Sequence, residues 1–211
     1  LLALGIPMGL QFSITAIGTM MVQSSLNILG SYAVAAFTAG SKIESIFTQA
    51  FVAIGTAMST YNAQNIGARK LDRVRKGFRS ADVIGCTYGV LVGFILFFVG
   101  KYFAYLFISD NAEVVIPMVE TYLQCVGMFM IPLYVVNSYR NGFQGMGYGL
   151  LPMLSGVAEL VGRGIMAIVA SNKKSYTMAC MASPFAWIVA TVLLIGLYFY
   201  VMKDMKKKLC L

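Results

Sequence analysis

The sequence predicts an all-α membrane protein made of six transmembrane helices, and three observations carry the prediction. First, 59% of the 211 residues are hydrophobic and only 11% are charged, whereas an ordinary soluble domain carries roughly 25% charged residues. Second, the apolar residues fall in long blocks, with a mean hydropathy of +0.77. Third, the charges gather at the ends of those blocks. A hydrocarbon core about 30 Å thick needs roughly 20 apolar residues per helical crossing, so the chain is long enough for about six crossings and little else.

The runs place helices at about 2–29, 33–66, 81–108, 114–139, 148–170 and 176–202. The first contains Pro7, which invites a kink near its start, and Gly30-Ser31 closes it. The second leads into a basic segment, 67–80, that holds six of the 16 Lys and Arg: Arg69, Lys70, Arg73, Arg75, Lys76 and Arg79. Ser109-Asp110-Asn111 ends the third. The fourth runs into a polar, glycine-rich connection from Arg140 to Gly147, and the fifth into Ser171-Asn172-Lys173-Lys174-Ser175. The sixth ends in a basic tail, 203–211. The chain opens on Leu1-Leu2-Ala3 with no basic segment and no small-residue cleavage site, so the first run is not a signal peptide. It is expected to be the interior of a longer protein.

Lys and Arg resist translocation, so their excess marks the cytoplasmic side. One side collects the six cations of the 67–80 loop with Arg140, Lys203, Lys206, Lys207 and Lys208. The other holds Lys173 and Lys174, with Lys101 near that end of the third run. Both termini of the segment are therefore expected in the cytoplasm, with the protein in the plasma (inner) membrane and the lipid bilayer as its first partner. The same placement explains the net charge of +8 without nucleic acid. Histidine is absent, which excludes Ser-His-Asp and Cys-His sites, an intramembrane zinc protease and a His-ligated haem. Cys86, Cys125, Cys180 and Cys210 are scattered and indicate neither a disulfide framework nor a metal cluster. No enzyme activity, cofactor or metal site is expected.

Polar stripes on the runs carry the functional information, because a helix surrounded by lipid has no use for them. At 100° per residue, Ser41, Glu44, Ser45, Thr48, Gly55, Thr56, Ser59 and Asn62 share one side of the second run. Gln11, Thr15, Gly18 and Ser25 do so on the first, and Glu120, Gln124, Gly127, Tyr134 and Ser138 on the fourth. Two readings are open: small and polar residues that pack helix on helix, or the wall of a water-filled cleft. In the fifth run Glu159 and Arg163 are four apart and meet on one face near mid-span. That pair is either an internal salt bridge or a carboxylate that takes up a proton or cation beside a fixed positive charge. Lys42 and Glu44, two apart, cannot pair within one helix, and Lys42 is placed to snorkel.

Four short stretches, in order, resemble the multidrug and toxic compound extrusion (MATE) transporters. They are Leu4-Gly5-Ile6-Pro7, Leu29-Gly30-Ser31-Tyr32-Ala33-Val34-Ala35-Ala36-Phe37, Gln64-Asn65-Ile66-Gly67-Ala68-Arg69, and Phe143-Gln144-Gly145-Met146-Gly147 followed by Pro152, Glu159 and Arg163. The resemblance covers essentially the whole chain. It implies one six-helix lobe, the C-terminal one, of a twelve-helix transporter whose N-terminal lobe is the partner. It also implies export of small organic cations in exchange for Na+ or H+ by alternating access. Three departures stand out. Thr15 stands where some members have Glu, Leu133 where some have Asp, and Gln144 replaces the usual Arg. The coupling ion is accordingly expected to bind mainly in the N-terminal lobe. The residues put forward for the cleft or for coupling are Gln11, Thr15, Glu44, Thr48, Ser59, Glu120, Gln124, Tyr134, Glu159 and Arg163. A flippase for lipid-linked saccharides would want a strongly basic cavity, for which only Arg163 and Lys42 are at hand, and a non-transporting scaffold would need no aqueous cleft.

Overall fold

The computed structural model describes residues 2–106, 108 and 111–209. The expected Ser109-Asp110 turn, Leu1 and Cys210 lie outside the described residues, as does the side chain of Leu4. The described chain is helical throughout, in nine helices: α1 (Leu2–Leu29), α2 (Ser31–Gly67), α3 (Leu71–Phe98), α4 (Gly100–Ala104), α5 (Ala112–Gly127), α6 (Met130–Gly145), α7 (Leu150–Lys173), α8 (Tyr176–Cys180) and α9 (Ala182–Lys208). They form six segments in the order expected: α1, α2, α3 with α4, α5 with α6, α7, and α8 with α9. By length and apolarity, α1, α3, α7 and the α8–α9 run suffice to cross a membrane, and α5–α6 makes a fifth if its 55° bend lies within one span. The 37 residues of α2 give it a length of about 55 Å. It is long enough to cross, but polar residues keep its hydropathy below that of the other segments.

Two breaks share one cause. Pro132 has no N–H for the carbonyl four residues back, and its ring clashes there, so the helix bends at Met128-Phe129 and restarts at Met130 with the proline in the first turn. Pro184 does the same at Met181, between α8 and α9. Pro7, by contrast, sits inside α1 without interrupting it. The basic loop is shorter than the charge pattern implies. Only Ala68–Lys70 separate α2 from α3, so Leu71–Arg79 form the first turns of α3. Arg69 takes a left-handed conformation (φ 57°), and the Lys70 amide returns to the Asn65 carbonyl at 2.8 Å. That closes the turn in the manner of a helix C-cap.

The packing has a seam. One hydrophobic cluster joins α2, α3, α5, α6 and α9 around Phe51, Phe78, Leu123, Tyr134 and Leu194. A second, smaller one joins α1 and α7 to α8 through Val22, Leu26, Ala170 and Ala179. α1 lies along α7, α2 along α6 and α7 along α9, whereas α6 meets α7 over a short stretch only. The α2–α6 contact is close because small residues face each other, as in membrane helix pairs generally. Asn62 donates to the Gly142 carbonyl at 3.2 Å, and a Cβ on Gly145 would sit on the Ser59 carbonyl. Gly145→Ala is therefore expected to destabilise the folded protein by about 1–3 kcal/mol. Gly67→Ala, with nothing within 4 Å of its Cβ, leaves stability unchanged. Thermal unfolding in detergent reads both.

Candidate functional site

The α6–α7 seam is bridged by charge. Glu159 on α7 is buried, with its side chain 3% exposed. Arg163, one turn further on, places Nη2 3.3 Å from Glu159 Oε2. A second guanidinium comes from α6: Arg140 Nη2 bonds Glu159 Oε1, while its Nε donates to Ser155 Oγ at 3.0 Å. Arg163 Nη1 reaches the Thr15 carbonyl on α1 at 3.4 Å, and its Nε is buried without a partner. A Cβ on Gly18 would come within 3.2 Å of Arg163 Cδ, so the glycine is what lets α1 lie over this side chain. Beside the triad, Gln144 of α6 donates to the buried Gln11 of α1 at 3.2 Å. One carboxylate between two guanidiniums leaves one positive charge in excess. Such a cluster is costly to bury, and Glu159 is its keystone: without it two guanidiniums are left uncompensated, whereas without either arginine a neutral pair remains.

The remaining candidates do not converge on one place. Gln11 and Thr15 face α7, and Thr15 Oγ1 bonds its own helix at the Gln11 carbonyl (3.0 Å). On α2, Glu44 accepts a hydrogen bond from the buried Tyr122 of α5. Thr48 bonds back to the Ser45 carbonyl at 3.3 Å, and Ser59 lies against Gly145 of α6. Glu120 faces Lys101 of α4 across 4.0 Å. Gln124 is half-buried on α5. Tyr134 is fully buried, with its hydroxyl on Asp82 of α3 at 3.2 Å. The bend at Met128-Phe129 explains why the fourth stripe is not one face: it turns Tyr134 and Ser138 away from Glu120 and Gln124.

A different face of α2 is polar and open. Thr38, Lys42, Ser45, Gln49, Thr56, Thr60 and Gln64 are all exposed and lie within about 100° of arc at 100° per residue, interleaved with the exposed Ile46, Ala53 and Ala63. The row runs roughly 39 Å along the helix at 1.5 Å per residue, more than the thickness of a hydrocarbon core. Its hydroxyls are answered within their own helix, Ser45 at the Lys42 carbonyl (2.7 Å) and Thr56 at the Val52 carbonyl (3.0 Å). Of the polar residues grouped from the sequence, Ser45 and Thr56 belong to this row, whereas Gly55, Ser59 and Asn62 turn inward to α6. Sequence reasoning missed Gln49, Thr60 and Gln64 because the inner and outer polar faces of α2 adjoin and merge on a helical wheel. It also missed Arg140, counted as a cytoplasmic charge. Nineteen positions and a loop separate it from Glu159, and no local signal links the two. The phenol partners Tyr122 and Tyr139 have no sequence signal either.

The MatE family profile matches residues 7–169. Among curated relatives, a Bacillus subtilis protein named as a probable multidrug resistance protein, YpnP, is 32% identical over 154 residues, covering 73% of this chain and 34% of its own length. Another from the same organism, also named as a probable multidrug resistance protein, YoeA, is 25% identical over 212 residues, covering 96% of this chain and 44% of its own length. Among solved structures, an outward-facing multidrug resistance MATE family transporter superposes with a TM-score of 0.90 at 18% identity, over 97% of this chain and 46% of that one. That likeness is one of fold. The chain spans less than half the length of the relatives it matches.

Glu159→Gln, which leaves two guanidiniums without their carboxylate, is expected to cost about 3–5 kcal/mol of stability, and Arg140→Gln, which leaves the Glu159–Arg163 pair in place, about 1–3 kcal/mol. The double variant should lose clearly less than the sum, because the two side chains act as a unit. Thermal or denaturant unfolding of the four proteins closes the cycle.

Proposed function

The chain belongs to the MatE family, and we propose that it is one six-helix lobe, the C-terminal one, of an exporter that exchanges cationic amphipathic compounds for sodium or protons. The observation that carries this reading is the open polar row on α2. Seven polar residues in a line across the membrane are unfavourable against lipid, and the row is longer than the apolar core. It belongs against water or against a second lobe, and a row that faces a shared cleft has both. The relatives' names, and a chain under half their length, agree with a second lobe on that side.

Alternating access asks each lobe to move as a body while the cleft between lobes opens to one side or the other. The charge-bridged seam supports that role. It fastens α1 and α7 to α6 with charge-assisted hydrogen bonds, which do not depend on a hydrophobic drive that the bilayer cannot provide. The basic α2–α3 turn and the Lys203–Lys208 end of α9 support an orientation with both termini of the segment in the cytoplasm.

Two experiments test the reading. In full-length protein with the native cysteines replaced, single cysteines at Ser45, Thr56 and Thr60 are expected to react with a membrane-impermeant thiol reagent. Cysteines at Ile84 and Leu91, exposed apolar positions on α3, stay protected. Protection at all five positions would remove the cleft. In vesicles holding the full-length protein, efflux of a fluorescent organic cation is expected to follow an imposed sodium or proton gradient. No efflux under either gradient would contradict the exporter.

A further inference from the structure

A half-buried carboxylate that plays no part in the triad or in the α2 row stands where the basic end of α3 gives way to its apolar stretch. Asp82 lies in α3, which is apolar enough to span a membrane, and its partners are two phenols from α6. Tyr134 donates to Oδ1 at 3.2 Å and Tyr139 to Oδ2 at 3.0 Å. Among the described residues no ion pair includes Asp82. The place is built for it. Gly85, one turn on, has no side chain, and a Cβ there would collide with the Tyr134 ring, so the glycine admits the ring that carries the hydroxyl.

The surroundings leave the charge of Asp82 uncompensated. On its own helix, Cys86 is one turn further and Arg79 and Arg75 are one and two turns back, none of them paired to it. From α9, Tyr198 packs on Tyr139 with ring centroids 5.6 Å apart. On α2, the Tyr61 hydroxyl goes to the Arg73 carbonyl at 3.2 Å. A carboxylate held by neutral donors in a membrane segment is a group whose charge a single proton removes.

We propose that Asp82 is a proton-binding site through which this lobe is coupled to a proton gradient, an inference that rests on the exporter reading above. The proton comes from one aqueous phase, binds a carboxylate oxygen to give the neutral acid, and leaves to the other phase. No other bond is made or broken. Its arrival makes one Asp82 oxygen a donor, and the phenol on that oxygen then accepts from it and turns its own hydrogen elsewhere. Tyr134 has a second acceptor ready, Ser138 Oγ at 3.3 Å. The element that feels the change is α6, which begins at the Met128-Phe129 bend and carries Arg140 next to Tyr139. The proton at Asp82 and the triad at Glu159 therefore act on opposite sides of one short helix.

The test uses the full-length transporter, wild type and Asp82→Asn, with ethidium as the organic cation. Infrared difference spectra of the purified proteins on acidification are expected to show a protonated-carboxyl band that Asp82→Asn lacks. In vesicles, Asp82→Asn should still bind ethidium and exchange it across the membrane without a gradient. Proton-gradient-driven efflux should fall by about tenfold or more, within the usual range of a coupling free energy. Tyr139→Phe, which keeps the acid, should displace the pH at which the band appears, and so serves if Asp82→Asn does not fold. An unchanged band or undiminished proton-driven efflux in Asp82→Asn would overturn the proposal, as would wild-type efflux that follows sodium alone. A wild type that moves no ethidium yet shows the Asp82 band would overturn the exporter reading for this class of compound and leave the proton site standing.

Discussion

The structure depends on burying Glu159 between two arginines. In a bilayer, apolar helix faces gain little by meeting each other rather than lipid. The two hydrophobic clusters of this lobe, one around α2, α3, α5, α6 and α9 and one around α1 and α7, meet closely where Gly162 of α7 lies on Ala186 of α9, but only briefly along α6 and α7. Arg140 on Glu159 and Ser155, with Gln144 on Gln11, fixes that short contact, because Arg140 and the two amides would lose their partners in hydrocarbon if the seam opened. A seam held by hydrogen bonds with fixed directions has one register, whereas an apolar seam could slide.

The second constraint is the double duty of α2. Its inner side carries small residues, Gly55, Ser59 and Asn62, so that α6 comes close. Its outer side carries the row from Thr38 to Gln64. The helix is polar on both sides, the inner one packed on α6 and the outer one assigned to the proposed cleft. This is why a helix of 37 residues falls short of the apolarity of its neighbours, and why its polarity points to a cleft rather than to a failed span.

Much of the fold was legible in the sequence because the bilayer demands long apolar runs, and the interruptions between them are short and polar. The order of the six segments, the Gly30 turn and the pairing of Glu159 with Arg163 all followed from spacing along one chain segment. The bends at Met128-Phe129 and Met181 were less visible. Each stands three or four residues before a proline that itself fits a helix's first turn, so a window average runs smoothly across it. The site was legible only where partners share a helix. Arg140 with Glu159, Tyr139 with Asp82 and Tyr122 with Glu44 are contacts between helices, and charge placement alone had set Arg140 on the cytoplasmic surface.

Joining the two sides of the seam through α6 makes the lobe one mechanical unit, and amide hydrogen exchange tests that claim most directly. Exchange would be followed across α1, α6 and α7 in the full-length protein, wild type against Arg140→Gln, under conditions where both remain folded. The account predicts that protection falls together along all three helices, because the triad is what ties them. A loss of protection confined to the turn around residue 140, with α1 and α7 unchanged, would contradict it.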